Sequence, residues 1–322
     1  MKIILIILIG IIILLLVSGM AIAYISSNRN GNVDKILGEN EASGDVPDTI
    51  QTLRLKTKEL VSREYEIMSK EGFPLHGYLI RSKKPSNIYV FYSHGYRSPD
   101  GGMEFGCLYP MWENYDYNCF FVDHRGHGKS GGNHISFGLH ESEDNMEWLT
   151  FMKKEFGEDI QIILHGQSMG AATVLMMSDK ELPNQVKCIV ADCGYTCYFD
   201  EALHILQFPG NRLVLEVANL YLRLVHNIDM KKAKPVEAVA HSIKPILFTH
   251  GGKDSFVPTY MGKLNYDSCI SEKEFHVFPE AEHATSLLVY PDEYANCVGK
   301  FIHKFIEEGG KQYAKTRLGS NA

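Results

Sequence analysis

The chain has 322 residues, 45% of them apolar and 22% charged, enough to build one large α/β domain or two modest ones around a sizeable core. The formal net charge is −7 and no basic cluster stands out, which argues against a nucleic-acid partner. The seven cysteines are odd in number and lack paired zinc-ligand spacing, so they read as isolated buried thiols rather than as disulfides or a metal site.

From Ile3 to Ile25 there is no charged residue. About 20 apolar residues in a helix cross a bilayer core, so residues 1–25 read as a transmembrane signal anchor. A signal peptide cut after the small residues of Ala21-Ile22-Ala23 is the competing reading. The absence of a polar face excludes an ordinary soluble-core helix. The expected location is a membrane, with the chain held by this single helix and the rest extracytoplasmic, or secreted after cleavage. Lys2 on one side and Arg29 and Lys35 on the other give a weak charge bias. Residues 26–48, rich in Asn, Gly, Ser, Asp and Glu, read as a flexible linker. Residues 49–322 then form the folded domain.

Within that domain, strand-like runs fall at Arg63–Met68, Leu75–Ile80, Ile88–Ser93, Cys119–Asp123, Ile160–His165, Val186–Ala191, Pro245–Thr249 and Glu274–Phe278. Several are continuously apolar, which suits parallel strands covered on both faces. Helical patterns at Ser142–Phe156, Ala171–Ser178 and Pro291–Glu308 alternate with them. The alternation predicts an α/β fold with a mostly parallel central sheet and helices on both sides. The rhythm breaks at about 197–240. There Leu213, Val214, Val217, Leu220, Tyr221, Leu224, Val225 and Ile228 mark a helical stripe, read as part of a small helical cap over the sheet's carboxyl edge.

The segment that carries chemistry is Gly166-Gln167-Ser168-Met169-Gly170, set between a buried strand and a helical pattern. Two glycines permit a sharp turn that lifts the serine hydroxyl above the sheet at a helix amino terminus, where the dipole favours negative charge. In that context the segment resembles the nucleophile turn of the α/β-hydrolase superfamily, in its esterase and serine aminopeptidase-like branch, over roughly residues 63–308. Three further segments match in family order. His94-Gly95-Tyr96 follows a strand, and the resemblance makes the backbone N–H groups of Tyr96 and Met169 the oxyanion-hole donors. Asp123-His124-Arg125-Gly126-His127-Gly128-Lys129-Ser130 is similar to a structural turn of the family, so His124 and His127 are not assigned to catalysis. Gly251-Gly252-Lys253-Asp254-Ser255-Phe256-Val257-Pro258 resembles the acid-bearing loop, and Glu280-Ala281-Glu282-His283 follows the last strand. The implied triad is Ser168, Asp254 and His283, in hydrolase order.

Asp192, after a strand, is a rival acid without that loop context. His94 is expected to shape the oxyanion loop, His165 to pack within the serine turn, and His204, His226 and His241 to sit in or near the cap, at the surface or in the core. The resemblance implies a serine hydrolase that cleaves a carboxylic ester or related acyl bond through an acyl-enzyme on Ser168, with no metal or organic cofactor. The apolar cap and the membrane helix suggest a small-molecule or lipid-like acyl substrate. A serine peptidase on the same fold is the enzymatic alternative. A non-catalytic, membrane-tethered binding protein on a hydrolase scaffold is the alternative of another class.

Overall fold

The computed structural model describes residues 2–31, 48–98 and 101–306. Among the described residues eight strands form one sheet: β1 (Arg63–Met68), β2 (Pro74–Ile80), β3 (Ile88–Ser93), β4 (Asn118–Val122), β5 (Gln161–Gln167), β6 (Val186–Asp192), β7 (Ile246–Gly251) and β8 (Lys273–Phe278). They are the expected eight, with ends displaced by one or two residues. Their order across the sheet is β1-β2-β4-β3-β5-β6-β7-β8. β2 pairs antiparallel with β1 and β4, and every later pairing is parallel. The helices, in chain order, are α1 (Lys2–Ser27), α2 (Asp48–Glu59), α3 (Tyr109–Glu113), α4 (Leu139–Phe156), α5 (Met169–Met176), α6 (Tyr198–Ile205), α7 (Asn211–His226), α8 (Pro235–Val239), α9 (Thr259–Ser268), α10 (Ser286–Val289) and α11 (Pro291–Ile302).

The central strands are mostly apolar and almost wholly buried because both of their faces are covered. On one side Val90 and Tyr92 of β3 pack in a core with Trp112, Tyr294 and Phe301. On the other, Tyr89 and Phe91 join Trp148, Leu149 and Val174. This two-sided burial fixes the carboxyl ends of β3, β5, β7 and β8 at one edge, where the loops that carry the candidate residues begin.

A third apolar cluster lies over that edge. It gathers Met169 and Ala172 of α5, Phe137, Phe199 and Ala202 of α6, and Leu215 and Leu222 of α7. Helices α6 to α8 occupy the stretch between β6 and β7. The predicted α7 stripe needs correction. Val214, Leu215, Ala218 and Leu222 turn inward, whereas Leu213, Leu220, Leu224 and Val225 are exposed. The sequence shows an apolar stripe on each of two helix faces, and hydropathy alone does not say which one meets the core.

Helix α1 runs two residues past the expected span and is long and apolar enough to cross a membrane. Its carboxyl half is docked. Gly19, Ala23 and Ser27, spaced four apart and so on one face, are buried. A Cβ on Gly19 would stand 2.5 Å from Val217 Cγ1, so only glycine lets α7 approach this closely. Residues 26–31 of the expected linker are therefore held against the domain. Ile135 N–H donates to Ser27 O at 2.7 Å, Arg29 N–H donates to Asn133 O at 2.8 Å, and Asn28 bridges His134. Residues 32–47 of the expected linker lie outside the described residues.

Candidate active site

Ser168 stands between β5 and α5 with φ 56° and ψ −120°, a backbone conformation that costs a non-glycine residue strain. The flanking glycines explain how the turn closes. A Cβ on Gly166 would lie 2.2 Å from Gly170 O, and one on Gly170 would lie 1.9 Å from Ser93 O. Either side chain collides with backbone, so the serine stands proud only because its neighbours have none. Ser168 N–H donates to Asp192 O at 2.8 Å, which ties the turn to β6.

The structure brings Ser168, Asp254 and His283 together from the ends of β5, β7 and β8. Ser168 Oγ lies 2.8 Å from His283 Nε2, and His283 Nδ1 lies 2.8 Å from Asp254 Oδ2. A carboxylate only accepts, so Nδ1 carries the proton and Nε2 is free to accept from the hydroxyl. Asp254 Oδ1 in turn accepts the N–H groups of Val257 at 2.8 Å and Phe256 at 3.1 Å. Burial pushes the Asp254 carboxyl up, but hydrogen bonds from His250 and His283 outweigh it and hold the group at about 2. The alignment suits an alcohol giving its proton to an imidazole whose charge a fixed carboxylate offsets.

Sequence reasoning missed His250. It is the histidine of β7, its ring buried, with Nε2 2.9 Å from Val257 O and 3.3 Å from Asp254 Oδ2. Both neighbours accept, so His250 donates and steadies the acid loop. The one available signal was its position four residues before Asp254. Asp192, the rival acid, is fully buried and accepts from Gln167 Nε2 and Thr249 Oγ1. Burial, the largest influence, raises its carboxyl. Its contacts lie below the serine turn, within the β5–β7 edge.

Tyr96 and Met169 line the same cavity as Ser168. A Cβ on Gly95 would fall 3.6 Å from Ser168 Cβ, which places the His94-Gly95-Tyr96 loop against the serine. Met169 opens α5, where backbone N–H groups have no intrahelical partner. His94 is fully buried and shapes this loop: Nδ1 lies 2.7 Å from Gly95 O and Nε2 accepts His124 N–H at 3.0 Å. Asp123 builds the neighbouring turn, accepting Gly102 N–H, Lys129 N–H and Tyr78 O–H at 2.7–2.8 Å. Arg125 pairs bidentately with Asp144 at 2.7 and 2.9 Å. His165 packs between Trp112 and Tyr294, and burial lowers it to about 3. Of the other histidines, His204 Nε2 reaches Ser255 O, the His226 ring lies tilted against His134, and His241 Nδ1 meets Glu237 O. Among the described residues one group offers metal-type donors at close range, Cys193, Asp254 and His283, within 4.8 Å of one another. Asp254 and His283 are engaged with each other, and burial raises the Cys193 thiol well above its usual range.

The cavity in front of Ser168 is almost wholly apolar, with Leu206, Leu215, Met230 and Val257 among its walls. One wall residue breaks the pattern. Glu201 of α6 is buried, and neither carboxyl oxygen has a hydrogen-bond partner in the protein. Burial, then the nearby Asp254 charge, push its carboxyl up to about 9, so it is protonated at neutral pH. The folded state thus keeps a proton that the unfolded chain releases between about pH 4.5 and 9, and stability falls as pH rises through that window. Glu201→Gln removes the linkage. The expected gain is on the order of 3 kcal/mol at pH 7, seen as a melting temperature several degrees higher, with the gap to wild type widening from pH 5 to pH 8. A pH-independent gap would show that the carboxyl is not held neutral.

The model of the family described as serine aminopeptidase, S33, matches residues 86–196, from β3 through the serine turn to the loop after β6. The Bacillus subtilis (strain 168) protein YqkD is 28% identical over 190 residues, 58% of this chain. That match spans 62% of YqkD's own length. The Schizosaccharomyces pombe protein bem46 is 24% identical over 247 residues, covering 74% of this chain and 75% of bem46. Among solved structures, the Pyrococcus furiosus esterase Pf2001 superposes with a TM-score of 0.63 at 21% identity, over 78% of this chain and 94% of that one. The chain has the α/β-hydrolase fold: an antiparallel strand pair leads into a parallel sheet, with a strained serine turn at the end of an inner strand.

Proposed function

We propose that the protein is a serine hydrolase that cleaves a carboxylic ester or related acyl bond. The observation that carries this reading is the unbroken line from Ser168 Oγ through His283 to Asp254, with both contacts at 2.8 Å. As the hydroxyl attacks an acyl carbonyl, His283 Nε2 takes its proton, and Asp254 stabilises the imidazolium that forms. The N–H groups of Tyr96 and Met169 are the assigned donors to the tetrahedral oxyanion, the kind of contact that stabilises charge developing in acyl transfer. The imidazolium then protonates the leaving group. Water, deprotonated by the same nitrogen, releases the acid from the acyl-enzyme. The apolar cavity suits the acyl chain of the substrate.

A fluorophosphonate probe tests the reading directly. Covalent labelling at Ser168, abolished in Ser168→Ala, is the expected result. A folded protein that the probe leaves unlabelled would be a binding protein on a hydrolase scaffold.

One residue favours a second reading, cleavage of an aminoacyl amide. Glu201 lines the same cavity, and a substrate ammonium beside it would favour the carboxylate, so that Glu201 releases its proton to solvent and forms an ion pair. The description of the matching family model points the same way. Comparing kcat/KM on alkanoyl esters and aminoacyl amides separates the two. Under the peptidase reading Glu201→Gln abolishes the amide activity, whereas under the esterase reading amides are poor substrates from the start.

A further inference from the structure

The cavity in front of Ser168 takes part of its wall from the apolar helix at the start of the chain. Ile22, Ile25 and Ser26, at i, i+3 and i+4 on one face of α1, line it together with Ser168 and Leu215. The adjoining face of α1 is the small-residue stripe that meets α7, and Ala23 belongs to the apolar cluster of the cap helices. Arg97, next to the candidate oxyanion donor Tyr96, closes the end of α1. Its guanidinium donates to the carbonyls of Ile25 at 2.7 Å, Asn28 at 2.8 Å and Gly31 at 2.7 Å. Tyr96 O–H donates to Ser26 O at 2.6 Å. A cation on the exposed carbonyls of a helix end is a favourable cap. These bonds make the last turns of α1 part of the catalytic domain.

Length then places the bilayer. The stretch of α1 clear of the domain, Ile3–Val17, spans about 22 Å at 1.5 Å per residue. A hydrocarbon core is about 30 Å thick. The missing turns are those beside α7. The outward residues Leu213, Leu220 and Leu224 of α7 lie on the same helical stripe as Val217, the residue that touches Gly19. They extend the apolar surface of α1 sideways, and Leu224 is 77% exposed. Immersing the α7 stripe at the membrane surface completes the span and covers these leucines in one step.

We propose that α1 is retained as a membrane anchor whose last turns form a wall of the acyl pocket, and that the substrate is an amphiphile with one apolar acyl chain taken from the bilayer surface. This rests on the serine hydrolase reading above. The edge of the hydrocarbon falls within two helical turns of Ile25, so a chain leaving the leaflet meets α1 and the pocket as one continuous apolar surface. Cleavage after Ala23 would remove Ile22 and cut the helix whose end Arg97 holds.

The test uses the full chain in phosphatidylcholine vesicles, with p-nitrophenyl acetate and octanoate. Ile22→Trp and Ile25→Trp fill the pocket from the α1 side, and the octanoate-to-acetate ratio of kcat/KM is expected to fall about tenfold or more. Ile22→Ala and Ile25→Ala, which are milder, shift the preference toward dodecanoate. Fluorophosphonate labelling of each variant reports that the site is folded. Leu220→Lys with Leu224→Lys is expected to lower hydrolysis of vesicle-borne monooleoylglycerol relative to soluble acetate by about tenfold or more. Chain-length ratios that move less than twofold in both tryptophan variants while labelling persists would overturn the proposal. So would an intact mass from membranes showing a mature chain that starts after Ala23. Loss of labelling in the wild type would instead overturn the serine hydrolase reading.

Discussion

Ser168→Ala is expected to lower kcat on an acyl ester by about 10⁶-fold, and adding His283→Ala is expected to lower it no further. The two side chains act on one proton. With no hydroxyl, His283 Nε2 has nothing to deprotonate; with no imidazole, the hydroxyl is a poor nucleophile. Either loss leaves the backbone donors and the pocket, which set the residual rate. The substitution separates chemistry from folding cleanly. Alanine keeps the Cβ, so the strain at φ 56° is the same in both proteins, and the hydrogen bond from the N–H of residue 168 to Asp192 O survives. The melting temperature should therefore move little while turnover collapses. Single-turnover kinetics on p-nitrophenyl butyrate, with a melt on the same sample, provide the check. Additive losses in the double variant would mean that the 2.8 Å contact between Ser168 and His283 is not where the proton passes.

The framework was open to reading because its signals are local. Several strands announce themselves as apolar runs between breakers, and Gly166 and Gly170 mark a turn that admits no side chain. What stayed hidden depends on partners far apart in the chain. Helix α1 reads as a span on hydropathy, and its packing face is only three small residues spaced by four, a pattern that gains meaning once Val217 is opposite Gly19. Arg97 looks like an ordinary loop cation until the carbonyls of residues 25 to 31 are seen around it. Helix α2 went unread because its sequence is largely polar; it covers the Gly101–Cys107 turn. Glu201 sits near the start of α6, where an acidic residue is the usual choice for the helix dipole, and nothing in the sequence marks it as the one carboxyl facing an apolar cavity.

The acid loop makes the second large effect specific to this chain. Asp254→Asn is expected to lower kcat by about 10⁴-fold with the fold retained. The carboxylate receives hydrogen bonds on both sides: Oδ1 from the N–H groups of Phe256 and Val257, Oδ2 from His283 and His250. An asparagine keeps its carbonyl oxygen where the two backbone donors are, since turning the amide would set N–H against N–H. Its NH₂ group then takes the Oδ2 place and faces two imidazoles. His283 can meet that donor only by presenting a bare Nδ1, which moves its proton to Nε2, toward Ser168. The base is then in the tautomer that cannot accept the hydroxyl proton. The wild-type carboxylate, held at about 2, stays ionised across the working range, so no inflection in its kcat–pH profile above pH 3 belongs to Asp254. His250→Leu offers the contrast. It removes a donor from Oδ2 without reversing the polarity at His283, so its loss should be far smaller than that of Asp254→Asn. Equal losses would mean that His250, rather than the charge on Asp254, sets the state of the imidazole.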